Sequence, residues 1–257
     1  FLGHIKNVDV IAHVVRCFED DDVAHVEGNV DPVRDAELVN TELIMKDLET
    51  VERHLRRVSK VAKSGDREAQ AGMDSLQKAY DALSAGRPVR GALTREEADM
   101  LRELSLLTLK PVLYVGNVDE SALGSKNAEA DASATYAHER GAESISLCGK
   151  MEAEIAELPA EEQREFLQSM GLSEPGLHVL SRALYRLLGL QTFFSVSDKE
   201  NRAWPVPRGI TAVKAAGAIH SDFEKGFVRA DVYTLAELEA YGSESAIRAA
   251  GKMRSKG

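Results

Sequence analysis

The chain has 257 residues, 44% hydrophobic and 29% charged, enough apolar material for one large or two modest cores. Its formal charge of -10 excludes a protein that binds nucleic acid over its whole surface, though a local basic patch survives such an average. No apolar run approaches a membrane span, Phe1-Leu2-Gly3-His4 lacks a secretory apolar region, and two cysteines at the ends of apolar runs build no disulfide framework.

Val10 to Phe18 is β-branched, short and almost uninterrupted, which predicts a strand buried on both faces. From about Glu42 to Thr108 the pattern turns helical. Ile44, Leu48, Val51, Leu55 and Val58 recur at spacings of 4 and 3, weakly continued by Ala62. After Ser64-Gly65-Asp66 the seam resumes with Met73, Leu76, Tyr80 and Leu83. Two such helices joined by a tight polar turn make an antiparallel hairpin. Thr94-x-x-Glu97 offers a capping box for a third helix carrying Leu101 and Leu104. A second buried strand runs from Val112 to Val115 and a third from Ser144 to Cys148. Between them an Ala/Glu-rich helix spans about Ala128 to Arg140 and stops at Gly141. Strand, helix, strand with buried strands predicts a parallel sheet in an α/β layer. Strands lie on both sides of the hairpin, so it is expected to be an inserted arm. Another helix fits Leu177 to Leu188, closed by Gly189.

From about Leu190 the grammar is that of a small α+β unit. Gln191 to Val196 alternates as a half-exposed strand, with Arg202 to Val206 as its partner. Thr211 to His220 reads as a helix, Phe227 to Tyr233 as a strand and Leu235 to Tyr241 as a helix. No closing strand is expected in Gly251 to Gly257.

Lys110 to Glu120 is the most informative stretch. A buried strand runs into a loop carrying Asn117, with the acid Glu120 three residues on. This resembles the base-recognition loop of a P-loop GTPase-type domain, in which guanine-specific members carry Asn-Lys-x-Asp. No Gly-x-x-x-x-Gly-Lys-Ser/Thr accompanies it: Gly149-Lys150 and Gly251-Lys252 precede Met and lack the earlier glycine. His13 to Gly28 and Val30-Asp31-Pro32-Val33-Arg34-Asp35 are similar to the signature of the YchF/Obg-like ATPase family. Leu106 to Asn117 resembles that family's base-specificity strand, and Ala218 to Phe227 its C-terminal TGS hallmark.

The resemblance spans essentially the whole chain and implies an α/β fold. That fold is a partial P-loop NTPase (G-domain) sheet over 1–41 and 108–189, a helical arm over 42–107, and a ubiquitin-like TGS domain over 190–257. It implies ATP preferred over GTP, Mg2+, a ribosomal or RNA partner, a cytoplasmic setting and a monomer. Such proteins begin with a phosphate loop, two switch segments and Asp-x-x-Gly, none of which occurs here, and end on a further strand. The resemblance therefore implies an ATPase of which these residues are the part without the phosphate loop, inactive by themselves, with the Mg2+ ligands elsewhere.

Guanine offers two donors that one Asp accepts in a bidentate pair, whereas adenine sets an acceptor beside an amine. Lengthening Asp to Glu and losing the Lys both weaken a grip on guanine. Asn117 is assigned to the purine edge and to tying loops together, and Val118 to packing or backbone contact. Glu120 is assigned to loop ordering or the amine, and Cys148, Gly149 and Lys150, with Met151, to a second base loop whose N–H groups line the ring. No catalytic residue is named, since phosphoryl transfer needs groups of the phosphate loop and switches. No metal-ligand spacing is found, and Asp20-Asp21-Asp22 reads as a solvated loop.

Two basic groupings remain. Arg53, Arg56, Arg57, Lys60 and Lys63 share one side of the hairpin, able to meet phosphates or simply to stay solvated opposite the seam. The C-terminal unit offers Lys199, Arg202, Lys225 and Arg229 with one aromatic, Trp204, suited to single-stranded RNA unless Trp204 is a core anchor. The alternative function is a non-catalytic RNA- or ribosome-binding module acting through these two surfaces.

Overall fold

Strands too apolar to be wetted on either face settle between layers of helices. The computed structural model describes residues 2–20, 22–25, 28–58, 67–123, 125–197 and 200–257. They form two compact units, one up to Leu188 and one from Gly189. The first contains, in order, α1 (Leu2–Ile5), β1 (Ile11–Arg16), α2 (Pro32–Val58), α3 (Arg67–Ser84), α4 (Arg95–Met100), β2 (Val112–Asn117), α5 (Ala128–Glu139), β3 (Glu143–Leu147), α6 (Gly149–Glu157), α7 (Ala160–Ser169) and α8 (Gly176–Leu187).

β1, β2 and β3 form a parallel sheet with β2 in the middle. Alternation along β2 builds both layers. Val112 and Tyr114 pack with Val15, Ala36, Tyr136 and Ala137 on the side of α2 and α5. Leu113 and Val115 face the other way, onto Leu147, Ala183, Leu180 and Leu184. The register pairs Arg16 with Asn117 and Asn117 with Leu147, so the carboxyl ends of all three strands fall in one row.

β1 was expected to be buried on both faces and is not. It is an edge strand among the described residues, and Val14 is 62% exposed.

The helical seam assembles as its spacing predicts. Val51, Leu76, Ala79 and Leu83 are buried together, with Ile44, Leu48, Leu55 and Tyr80 against them. The first helix begins earlier than expected, at Pro32, with Pro at a position whose missing N–H costs nothing. The Ser64-Gly65-Asp66 turn and Ala62 lie outside the described residues. Thr94 and Glu97 form the capping box, but α4 ends at Met100 and Leu101 to Leu104 continue as a tighter turn. Leu101 still reaches the seam cluster.

One buried charge locks this region. Asp47, 2% exposed on α2, accepts from Leu107 N (2.8 Å), Thr108 N (2.7 Å) and Thr108 Oγ1 (2.7 Å).

The second unit contains β4 (Leu190–Val196), β5 (Asn201–Pro207), α9 (Ala212–Ile219), α10 (Ser221–Lys225), β6 (Ala230–Val232), α11 (Leu235–Tyr241), α12 (Glu244–Ala249) and β7 (Arg254–Lys256). β4 and β5 pair antiparallel, Phe193 opposite Trp204. Thr234 and Glu237 form a second capping box. The expectation of no strand after Gly251 is corrected: Arg254–Lys256 pairs antiparallel with Ala230–Val232. Three residues are too short for a recognisable period, and two of these three are basic. The strand expected over Phe227 to Tyr233 shortens to the same three positions that β7 pairs.

Candidate functional site

At the row of strand ends a cleft of about 560 Å3 opens between three segments: Phe18 to Asp20 after β1, Asn117 to Ser121 after β2, and Cys148 to Lys150 after β3, with Met170 below. This is where ligands enter open parallel sheets, and the volume suits a small organic molecule.

Asn117 is half-buried, and its Oδ1 accepts from Gly149 N at 2.9 Å. A Cβ on residue 149 would stand 3.3 Å from that oxygen, so the glycine lets the two strand ends close up. The backbone adds two ties, Cys17 N to Asn117 O (2.8 Å) and Val118 N to Leu147 O (2.9 Å). Val118 is 3% exposed. Its side chain packs inward and its N–H is occupied, leaving only its carbonyl for a ligand.

Cys148 to Met151 is not a loop. Cys148 is the N-cap of α6, Gly149 opens the helix, and Met151 is buried. The N–H groups expected along a loop are those of a helix's first turn, with Gly149 N already given to Asn117. The apolar pair Met151 and Ile155, four residues apart, was the signal for this helix. Cys148 is 3% exposed, and Lys150 is exposed at the rim.

The loop after β2 is ordered by Asp119 rather than Glu120. Asp119 Oδ1 accepts from Ser121 N at 2.5 Å and caps a single helical turn, Glu120–Ala122. That hydrogen bonding holds the Asp119 carboxyl below its ordinary value. Glu120, exposed and lining the cleft, is left for a ligand.

The opposite wall was not singled out from sequence. Arg16 organises it, donating through Nε to Phe18 O (3.0 Å), Nη2 to Asp20 O (3.0 Å) and Nη1 to Val23 O (2.8 Å). Its guanidinium also sits 4.8 Å from the Phe18 ring centre. Asp20 Oδ1 accepts from Asp22 N, a local turn, and Asp21 lies outside the described residues. Among the described residues no three His, Cys, Asp or Glu converge on a point that could hold a metal ion. With Glu19, Asp20, Asp119 and Glu120 against Lys150, the mouth is acidic.

The basic residues of the first unit that can be placed, Arg53, Arg56 and Arg57, are exposed on α2. Arg56 meets Glu52 at 3.3 Å. Lys60, Lys63 and Lys199 lie outside the described residues. In the second unit Arg202, Lys225 and Arg229 are exposed. Trp204 is half-buried, donates Nε1 to Ser195 Oγ at 2.9 Å, and carries the Arg202 guanidinium 4.3 Å above its ring. One face of the indole is thus already covered by a cation.

A family model, YchF-GTPase_C, described as a protein of unknown function (DUF933), matches residues 190–257. A "Ribosome-binding ATPase YchF" of Bacillus subtilis (strain 168) is 45% identical over 260 residues, covering 100% of this chain and 71% of that protein. The protein of the same name from Escherichia coli O157:H7 is 45% identical over 258 residues with the same coverage. A solved structure titled "Structure of the Schizosaccharomyces pombe YchF GTPase" matches with a TM-score of 0.86 at 34% identity, over 100% of this chain and 70% of that one.

Proposed function

This chain belongs to the YchF family, and from that premise we propose that it is the base-recognition and partner-binding part of an ATPase that works at the ribosome. The observation that carries the reading is the Asn117–Gly149 bond, which sets a carboxamide at the tip of the central strand beside an uncommitted Glu120. The free amide group of Asn117 and the Glu120 carboxylate then address the polar edge of a purine, with Phe18 as an apolar wall. Names in the family speak of both ATPase and GTPase. Glu120 in place of a shorter Asp, and Val118 in place of Lys, favour adenine.

The acidic mouth supports the same division of labour. It suits a neutral base with an amine and repels phosphates, which are assigned to residues beyond 1–257, as are any Mg2+ ligands and the in-line water. Residues 42–107 are read as an inserted arm between the two parts of the nucleotide domain, and 190–257 as a TGS domain. Arg53, Arg56 and Arg57 on the arm, and Arg202, Lys225 and Arg229 on the TGS domain, supply the charge for ribosomal RNA. A monomer in the cytoplasm is the corresponding state. No helix among the described residues is long and apolar enough to cross a membrane.

The test is titration of a fluorescent ATP analogue into the full-length protein, competed with unlabelled ATP and GTP. Asn117→Ala is expected to weaken binding about tenfold or more, the loss of one to two polar contacts. Binding as tight as wild type, or GTP competing as well as ATP, overturns the assignment.

A further inference from the structure

A second cavity, of about 190 Å3, lies where α2, the Gly86–Arg90 segment, Leu107 and Thr108, and α5 meet. It shares no lining residue with the cleft at Asn117. Its polar wall is Glu37, Asn40, Thr41, Arg90, Tyr136 and Arg140.

Arg90 is the anomaly. Nη1 donates to Lys110 O at 3.0 Å, but Nε is fully enclosed and has no hydrogen-bond partner. Among the described residues it is alone in that condition among buried side-chain nitrogens and oxygens. Burial pulls the guanidinium below its ordinary value, and no carboxylate is among the groups that oppose the shift. A half-buried charge without a counter-ion is costly in proportion to its burial.

The neighbouring groups also present donors. Asn40 Nδ2 donates to Tyr114 Oη (2.8 Å) and Tyr136 Oη (2.9 Å). Each phenol oxygen therefore already accepts, which leaves its own hydrogen to give. Arg140 lies 3.6 Å over the Tyr136 ring and holds Glu37, the one carboxylate of the wall, at 3.4 Å. Two guanidinium groups and a phenol O–H thus border one small space against a single acid that is already engaged.

We propose that this cavity binds a small oxyanion of phosphate size, with Arg90 and Arg140 as its counter-charges and the Tyr136 hydroxyl as a neutral donor. The chemistry is that of charge-assisted N–H···O bonds to a compact anion. Its volume falls below the roughly 300–1,000 Å3 of sites for drug-sized ligands, which favours an inorganic ion over a nucleotide. Because the walls belong to α2 and α5, the bound ion ties the long helix to the sheet layer.

Inorganic phosphate is the probe, with chloride at matched ionic strength as control, read by the nitrogen NMR signal of the Arg90 Nε–H. Phosphate is expected to shift that signal saturably and slow its exchange with water, while chloride leaves it in place. Tyr136→Phe and Arg90→Lys should each weaken phosphate binding about tenfold, the worth of one hydrogen bond to a charged partner. Should Arg90→Lys not fold, Tyr136→Phe carries the test. An Arg90 signal unmoved by millimolar phosphate overturns the proposal. So does phosphate that moves only the Asn117 and Gly149 amides, or Tyr136→Phe binding it as tightly as wild type.

Discussion

Replacing Asp47 by Ala should loosen the base of the helix pair without touching the cleft at Asn117. The carboxylate holds two backbone N–H groups and one hydroxyl, all at 2.7 to 2.8 Å and all buried. Each donor left without an acceptor costs about 1–3 kcal/mol. Part of that is offset, because burial raises the Asp47 carboxyl above its ordinary value despite the three donors, so the buried charge is itself unfavourable. The hydroxyl of Thr108 also turns to find another acceptor more readily than a fixed amide does. A net loss of about 2–4 kcal/mol follows, in the range measured for breaking buried polar networks. The single tryptophan, Trp204, belongs to the other unit, so its fluorescence is the wrong probe. Native-state hydrogen exchange at the Leu107 and Thr108 amides, alongside urea unfolding followed by circular dichroism, reports the right region. Amides that exchange as slowly in Asp47→Ala as in wild type, with an unchanged unfolding midpoint, would refute the reasoning.

Two further outcomes follow from the sheet and its flanks. Burial, and secondarily Glu129, pushes the Cys17 thiol from 9.0 up to about 11. Between those values the unfolded chain has lost the proton and the folded one keeps it, so stability is intact below pH 9 and falls by roughly 2 kcal/mol by pH 11. Cys17→Ala should lack that descent, and unfolding curves for the two proteins that run parallel from pH 8 to 11 would contradict it. Gly176→Ala should destabilise, although Gly→Ala at an unstrained helical position stabilises by up to about 1 kcal/mol. The new Cβ would stand 2.8 Å from Glu152 Oε1 and 3.0 Å from Leu147 Cβ. Yielding would pull that buried carboxylate away from Gly176 N and Leu177 N, the first turn of α8, at a cost of about 1–3 kcal/mol. A melting temperature equal to or above wild type would show that the carboxylate does not need its present place.

Periodicity read well wherever burial alone chose the residues. Ile44, Leu48, Val51 and Leu55 against Leu76, Tyr80 and Leu83 had to meet, because each makes an apolar stripe that nothing else covers. Val112 to Val115 likewise had only a central strand open to them. What stayed hidden was set by partners far away in sequence. Asp47 looks like one more charge on a charged helix until Leu107 and Thr108 fold back onto it. Glu152 looks like helix surface until it caps α8. Arg16 reads as an interruption of a strand, yet three carbonyls between Phe18 and Val23 depend on it. The exposed Val14 was misplaced because a run of β-branched residues says how many faces a strand could bury, not how many are covered.

The cleft draws its precision from the strands and its chemistry from their ends. Arg16, Asn117 and Leu147 are consecutive partners across the sheet, so the three loops that follow start from positions fixed by the parallel ladder. Each loop is then held by a bond to its neighbour or to itself: Asn117 to Gly149, Asp119 to Ser121, Arg16 to the backbone between Phe18 and Val23. Glu19, Glu120 and Lys150, the charged cleft residues left without such a role, are all exposed at its mouth. A site in which positioning is done by some residues and recognition left to others can change its ligand at low structural cost. Glu120→Asp is therefore expected to leave the fold untouched and to move the ratio of GTP to ATP affinity upward. A ratio that does not move would mean that the base is read by the backbone of the cleft and not by this carboxylate.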